Sequence, residues 1–263
     1  MVHERVAAEC RFLGVTALLF AASCLATILW SASMSAMETM PTCIGAFISM
    51  MWMPMPGQSW SGAAGTFLCM WLVMMAAMML PSLTPMLWRY RQAVSKSTRS
   101  RIGGLTAVVG LGYFCVWACV GLLVFPLGAA VSAAELHWPI LVSFAPVAGG
   151  LMMMGAGTVQ LTSWKTRQLA CCRTAPGHGR ALSATAGTAW RQGLLLGLRC
   201  TSCCGNLTAI LLVTGLMDLR AMIAVTAAIS AERLLPSGAR IAHFLGLVAI
   251  AVGFLMIALQ LSK

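Results

Sequence analysis

Long stretches without a single charged side chain constrain this chain more than any other feature. Phe12 to Met37 is the first of them. As a helix it is long enough to cross roughly 30 Å of hydrocarbon. In lipid a backbone must satisfy its own hydrogen bonds, which restricts such segments to helices or closed barrels. Hydrophobic residues make up 60% of the chain and charged residues 9%, against about 25% charged in a soluble domain. Too few polar side chains remain to coat a water-soluble globule. The reading is an all-α, polytopic transmembrane helix bundle of about seven spans.

Ser31-Ala32-Ser33 resembles a signal-peptide cleavage site, but the apolar run is longer than the usual 7–15 residues. A first transmembrane helix is the better reading. A second span runs from Gly62 to Trp88, with Pro81 and Pro85 expected to kink or end its last turns. The third covers Ile102 to Val131, followed by a turn at Glu135, His137 and Pro139. The fourth covers Ile140 to Ser163, the fifth Gln192 to Met217 and the seventh Ile241 to Leu261. Between the last two, the segment from Asp218 to Pro236 forms a shorter sixth span, because Glu232 and Arg233 cut its apolar run. Six spans remain if that segment does not cross. Residues 1–61 are read as an N-terminal helix with a Met-rich extracytoplasmic connection, and residues 62–263 as a metal-binding transmembrane domain.

A net charge of +11 would suggest nucleic acid in a soluble protein. Here ten of the seventeen basic residues fall in two short connections, Arg89 to Arg101 and Lys165 to Arg191. That is the positive-inside pattern. It predicts a multi-pass protein of the bacterial inner membrane with a cytoplasmic N-terminus, surrounded by lipid, with no nucleic-acid partner.

Sulfur is unevenly spread. Thirteen of twenty methionines lie between Met34 and Met86. Met70, Met74 and Met78 form a stripe at four-residue spacing, widened by Met75 and Met79. Methionine stripes are often packing, since the thioether side chain fills irregular gaps. Met51, Met53 and Met55 recur in the outer connection, where packing gives little reason for them. Cys200, Cys203 and Cys204 stand at i, i+3 and i+4, which places them on one helix face. They could be small packing residues beside Gly205, or three thiols converging on one ion. Thioether and thiolate are soft ligands that select Cu(I) and similar cations, and thioethers keep that ability where thiols oxidise. The candidate ligands are therefore Cys200, Cys203, Cys204, Met70, Met74, Met75, Met78 and Met79.

Accessory roles are open to Glu232, Arg199, Met51, Met53, Met55 and Cys172. Glu232 is an ionisable group within a membrane segment, a functional-site signal in itself. Folding about the Asp218 turn brings it level with about Gly205, where it could take protons from thiols or pair with Arg199. A Glu232–Arg233 pair at the interface is the plain alternative. Cys171, Cys172 and His178 sit in the second basic connection, and Met152 to Met154 and Cys115 with Cys119 read as packing. No phosphate-binding loop, dinucleotide fingerprint or HExxH motif occurs. No nucleotide cofactor is expected, and no catalytic residues stand out.

Four blocks carry a family resemblance: WLVMMAAMMLPSLTP from Trp71 to Pro85, QLTSWK from Gln160 to Lys165, RCTSCC from Arg199 to Cys204, and GLMDLRAM with AERLLP between Gly215 and Pro236. From about Gly62 onward the chain resembles a bacterial family of uncharacterised polytopic membrane proteins labelled predicted metal-binding or copper-chaperone-like. The resemblance implies a helical membrane domain that handles a soft metal. Gln168, Ser202, Gly205 and Gln192 depart from the family's Cys, Gly, Trp and His at matching positions.

The function expected is binding and relay of a soft metal ion, Cu(I) foremost, by a transporter or membrane metallochaperone. An extracytoplasmic or membrane metalloprotein would be its partner. A membrane thiol–disulfide oxidoreductase and a structural or assembly subunit without metal are the alternatives.

Overall fold

The computed structural model describes residues 2–38, 52, 54, 57–94, 101–138, 140–173, 185–216 and 218–262. Met51, Met53, Met55, His178 and Met217 lie outside these described residues. Among the described residues there are eight helices and no strands: α1 (Val2–Glu38), α2 (Trp60–Val94), α3 (Ile102–His137), α4 (Ile140–Leu161), α5 (Ser163–Arg173), α6 (Ala186–Thr214), α7 (Leu219–Leu234) and α8 (Gly238–Leu261).

Six of them, namely α1 to α4, α6 and α8, are long and apolar enough to cross a membrane. Their outward faces are apolar, with Leu18, Leu123 and Phe244 each about two-thirds exposed. Such surface suits lipid and not water. The sixteen residues of α7 give a rod of about 24 Å, short of the roughly 30 Å core.

Contacts between helices fix the relative directions of α2, α3, α4, α6 and α8. The Arg91 guanidinium of α2 donates to the Ala8 carbonyl of α1 at 3.3 Å and lies over the Phe12 ring. Trp71 Nε1 donates to the Trp117 carbonyl at 2.9 Å, and Phe67 meets Phe125, so α2 and α3 are antiparallel. Gly112 abuts Gly193 and Val116 abuts Gly197, so α3 and α6 are parallel. Gly150 meets Gly253 and Gly157 meets Gly246, so α4 and α8 are antiparallel. Val213 meets Gly149, and Asn206 donates to the Ala156 carbonyl, so α4 also opposes α6. Both α6 and α8 thus lead away from the basic end of the bundle. The short α7 must carry the chain back between them, burying Glu232 and Arg233 as it does so.

Glycine makes the two closest pairings possible. A Cβ on Gly253 would stand 2.6 Å from the Gly150 carbonyl, and one on Gly197 2.8 Å from Val116 Cβ. Lipid provides no hydrophobic drive between helices, so close backbone approach and dispersion must hold them together.

Several element boundaries differ from the sequence reading. Pro81 and Pro85 do not end α2, which continues to Val94; neighbouring groups in a bundle can satisfy the carbonyls that proline frees. Glu135 and His137 lie in the last turn of α3 instead of a loop. The start of the second basic connection is helical, since Ser163–Arg173 forms α5 after a bend at Thr162.

Candidate functional site

The i, i+3, i+4 face of α6 points inward as its spacing requires. Cys200, Cys203 and Cys204 are all fully buried. The stripe on α2 turns to the same core: Met70, Met74, Met75, Met78 and Met79 are at most 5% exposed. The two sets meet where Cys200 Sγ lies 3.9 Å from Met79 Sδ.

Cys200 is the most heavily contacted of the thiols. Tyr113 of α3 donates its hydroxyl to Cys200 Sγ at 3.0 Å. Arg233 of α7 directs Nη1 to Cys200 Sγ at 3.2 Å and to Ser82 Oγ at 2.9 Å. Cys200 in turn interacts with Cys204, Cys204 with Cys203, and Cys203 with Cys172 of α5. Cys172 is buried and donates to the Arg199 carbonyl at 3.0 Å. Sulfur therefore runs in a row from Cys172 through Cys203, Cys204 and Cys200 to Met79. All these cysteines are free thiols. Among the described residues, no three His, Cys, Asp or Glu side chains close on one point as a finished metal cage.

Beside the row lies a buried polar network. Lys165 Nζ meets Glu232 Oε2 at 2.8 Å, with both side chains fully buried. The same ammonium donates to the Cys203 carbonyl at 2.5 Å. Gln160 Nε2 donates to Glu232 Oε1 at 2.6 Å. Buried charges persist only when paired and hydrogen-bonded, and this pair is both. The network ties α4, α5 and α7 to the cysteine turn of α6.

Glu232 thus lies at the depth expected, but its partners differ from those expected. It engages Lys165 and Gln160, while Arg199 is exposed and Arg233 turns to Cys200. The reason is the bend at Thr162, which swings α5 under the bundle and drives Lys165 inward. Met153 is buried, Met152 exposed, and Cys119 and Cys171 exposed, so none of the last three joins the row.

Lys165, Gln160, Tyr113, Ser82 and Arg233 complete the candidate site, although composition and spacing alone do not mark them as functional. Gln160 and Lys165 bound the QLTSWK block, which was the available signal. Tyr113 had none beyond being one of two tyrosines in the chain.

A family model described as PpoB2, copper chaperone, matches residues 68–256. That stretch holds every residue of the sulfur row and its polar network. No curated protein and no solved structure matches the chain.

Proposed function

We propose that this chain, which belongs to the PpoB2 copper chaperone family, takes Cu(I) as its cargo and hands it along the buried sulfur row. The observation that carries this reading is the 3.9 Å contact between Cys200 Sγ and Met79 Sδ. It joins a thiol series to a thioether series inside a core with no exposed atoms at either residue. Soft ligands of both kinds suit Cu(I).

Charge supports the same reading. Two thiolates holding Cu(I) carry a net charge of −1. The Lys165–Glu232 pair is neutral as a unit, which leaves the Arg233 guanidinium to balance that charge at 3.2 Å from Cys200. Binding displaces thiol protons. Each handover exchanges one sulfur for another of comparable strength, so no single position holds the ion too tightly to release it. In the membrane, the basic end of the bundle faces the cytoplasm by the positive-inside rule.

Metal analysis of purified protein under reducing conditions tests this. Wild type retains Cu(I), and the Cys200→Ser, Cys203→Ser, Cys204→Ser triple variant loses it. Equal copper in the two proteins overturns the reading.

A further inference from the structure

Where α5 meets α6, the bundle carries a charged seam that the sulfur row does not use. The 22 residues of α4 give a rod of about 33 Å, enough for the roughly 30 Å hydrocarbon core. Its last residue, Leu161, therefore lies at the edge of that core. The next helix, α5, begins at Ser163 and runs on at headgroup depth. The same depth can be read on α6. Asn206 meets Ala156 and Val213 meets Gly149, so this antiparallel register sets Arg199 level with Ser163. There α5 is fastened to α6, with Ser202 donating to Gln168 at 3.4 Å and Cys172 to the Arg199 carbonyl at 3.0 Å.

Two guanidiniums border the seam. Arg167 of α5 and Arg199 of α6 are both exposed. Among the described residues, neither side chain has a hydrogen-bond or ion-pair partner. The surface around them faces lipid. Trp164, one turn before Arg167, is 47% exposed, and Leu195 and Leu198, just before Arg199, are 39% and 57% exposed. An arginine on such a surface must take its counter-charge from the lipid. At headgroup depth the anion within reach is phosphate, which matches the planar donors of guanidinium. Tryptophan favours the same depth. A zwitterionic headgroup brings its own cation to the phosphate, so two arginines select a headgroup with net negative charge.

We infer that the α5–α6 seam binds an anionic phospholipid, its phosphate held by Arg167 and Arg199 and its glycerol end against Trp164. The inward face of the same α5 carries Lys165 and Cys172. The lipid thus holds α5 to the bundle from outside while those residues hold it from within. The assignment does not depend on what the sulfur row carries.

The test uses the full chain, purified in an uncharged maltoside detergent. It is titrated with dioleoylphosphatidylglycerol or dioleoylphosphatidylcholine, and native mass spectrometry counts the bound lipid while the thermal midpoint is followed. Wild type should retain phosphatidylglycerol in preference to phosphatidylcholine and melt at a higher temperature with it. Arg167→Gln and Arg199→Gln, both at exposed side chains, should each weaken phosphatidylglycerol binding by about tenfold, the order of one charge-assisted hydrogen bond. Arg101→Gln removes another exposed arginine, at the start of α3, and should leave that binding unchanged.

Equal retention of the two lipids overturns the assignment, because the seam then selects no headgroup. A loss in Arg101→Gln as large as in the seam variants also overturns it, leaving only diffuse charge. Inorganic phosphate that raises the midpoint as much as the lipid does would assign the seam to a soluble anion. A dimer seen in wild type and lost in both seam variants would assign it to a second copy of the chain. Either outcome removes the lipid from the seam.

Discussion

At the scale of single residues, Lys165 and Glu232 set the highest stakes. They are fully buried and meet at 2.8 Å. Lys165→Met removes the ammonium and leaves a carboxylate stranded in the core, which costs about 3–5 kcal/mol. The thermal midpoint in detergent should fall sharply. Adding Glu232→Leu should recover much of the loss, because an apolar pair of similar volume needs no desolvation. A single variant as stable as wild type would contradict the buried pair. Met79 offers the opposite experiment. Met79→Leu conserves volume, so stability should change by less than about 1.5 kcal/mol. The thioether is lost, however, and transfer of bound Cu(I) to an external chelator should slow by about tenfold, the equivalent of about 1.4 kcal/mol. Unchanged transfer kinetics would place Met79 outside the path.

Helix pairs respond to glycine substitution according to the space beside each glycine. In the α4–α8 pair, Gly253→Ala would set a Cβ 2.6 Å from the Gly150 carbonyl. Backbone cannot move aside as a flexible side chain does, and overpacking of this kind costs about 1–3 kcal/mol. Gly155 lies on the same α4 with nothing within 4 Å of its would-be Cβ. Gly155→Ala should therefore be neutral or stabilising by up to about 1 kcal/mol, the helix propensity difference. Unfolding monitored by circular dichroism in detergent compares the two. Equal effects would mean that α4 and α8 are not held by close backbone contact. In α2, Pro81 and Pro85 predict a kink or an end, yet the helix continues through both to Val94, because breakers weigh less where a bundle supplies alternative partners.

For the molecule as a whole, helix directions decide the topology. The shared direction of α6 and α8 makes α7 a return leg, although its length falls short of the hydrocarbon thickness. The expected outcome is that reporters fused to the N- and C-termini respond on opposite sides of the membrane. Reporters on the same side would show that α7 does not carry the chain across. A short leg is stable here because its buried end is polar by design of its neighbours: Glu232 and Arg233 find Lys165, Gln160 and Ser82 instead of lipid.

Composition and spacing by themselves determined that the chain is a helical bundle with long apolar spans. They also determined that the cysteines of α6 share a face, because helix periodicity is local and needs no partner. They could not determine which distant groups complete that face. The approach of Met79, the inward turn of Lys165 below the Thr162 bend, and the choice of Arg233 over Glu232 as neighbour of Cys200 each depend on how separate helices cross. Those crossings are set by packing between residues such as Gly112 and Gly193, far apart in sequence, and only the tertiary structure brings them together.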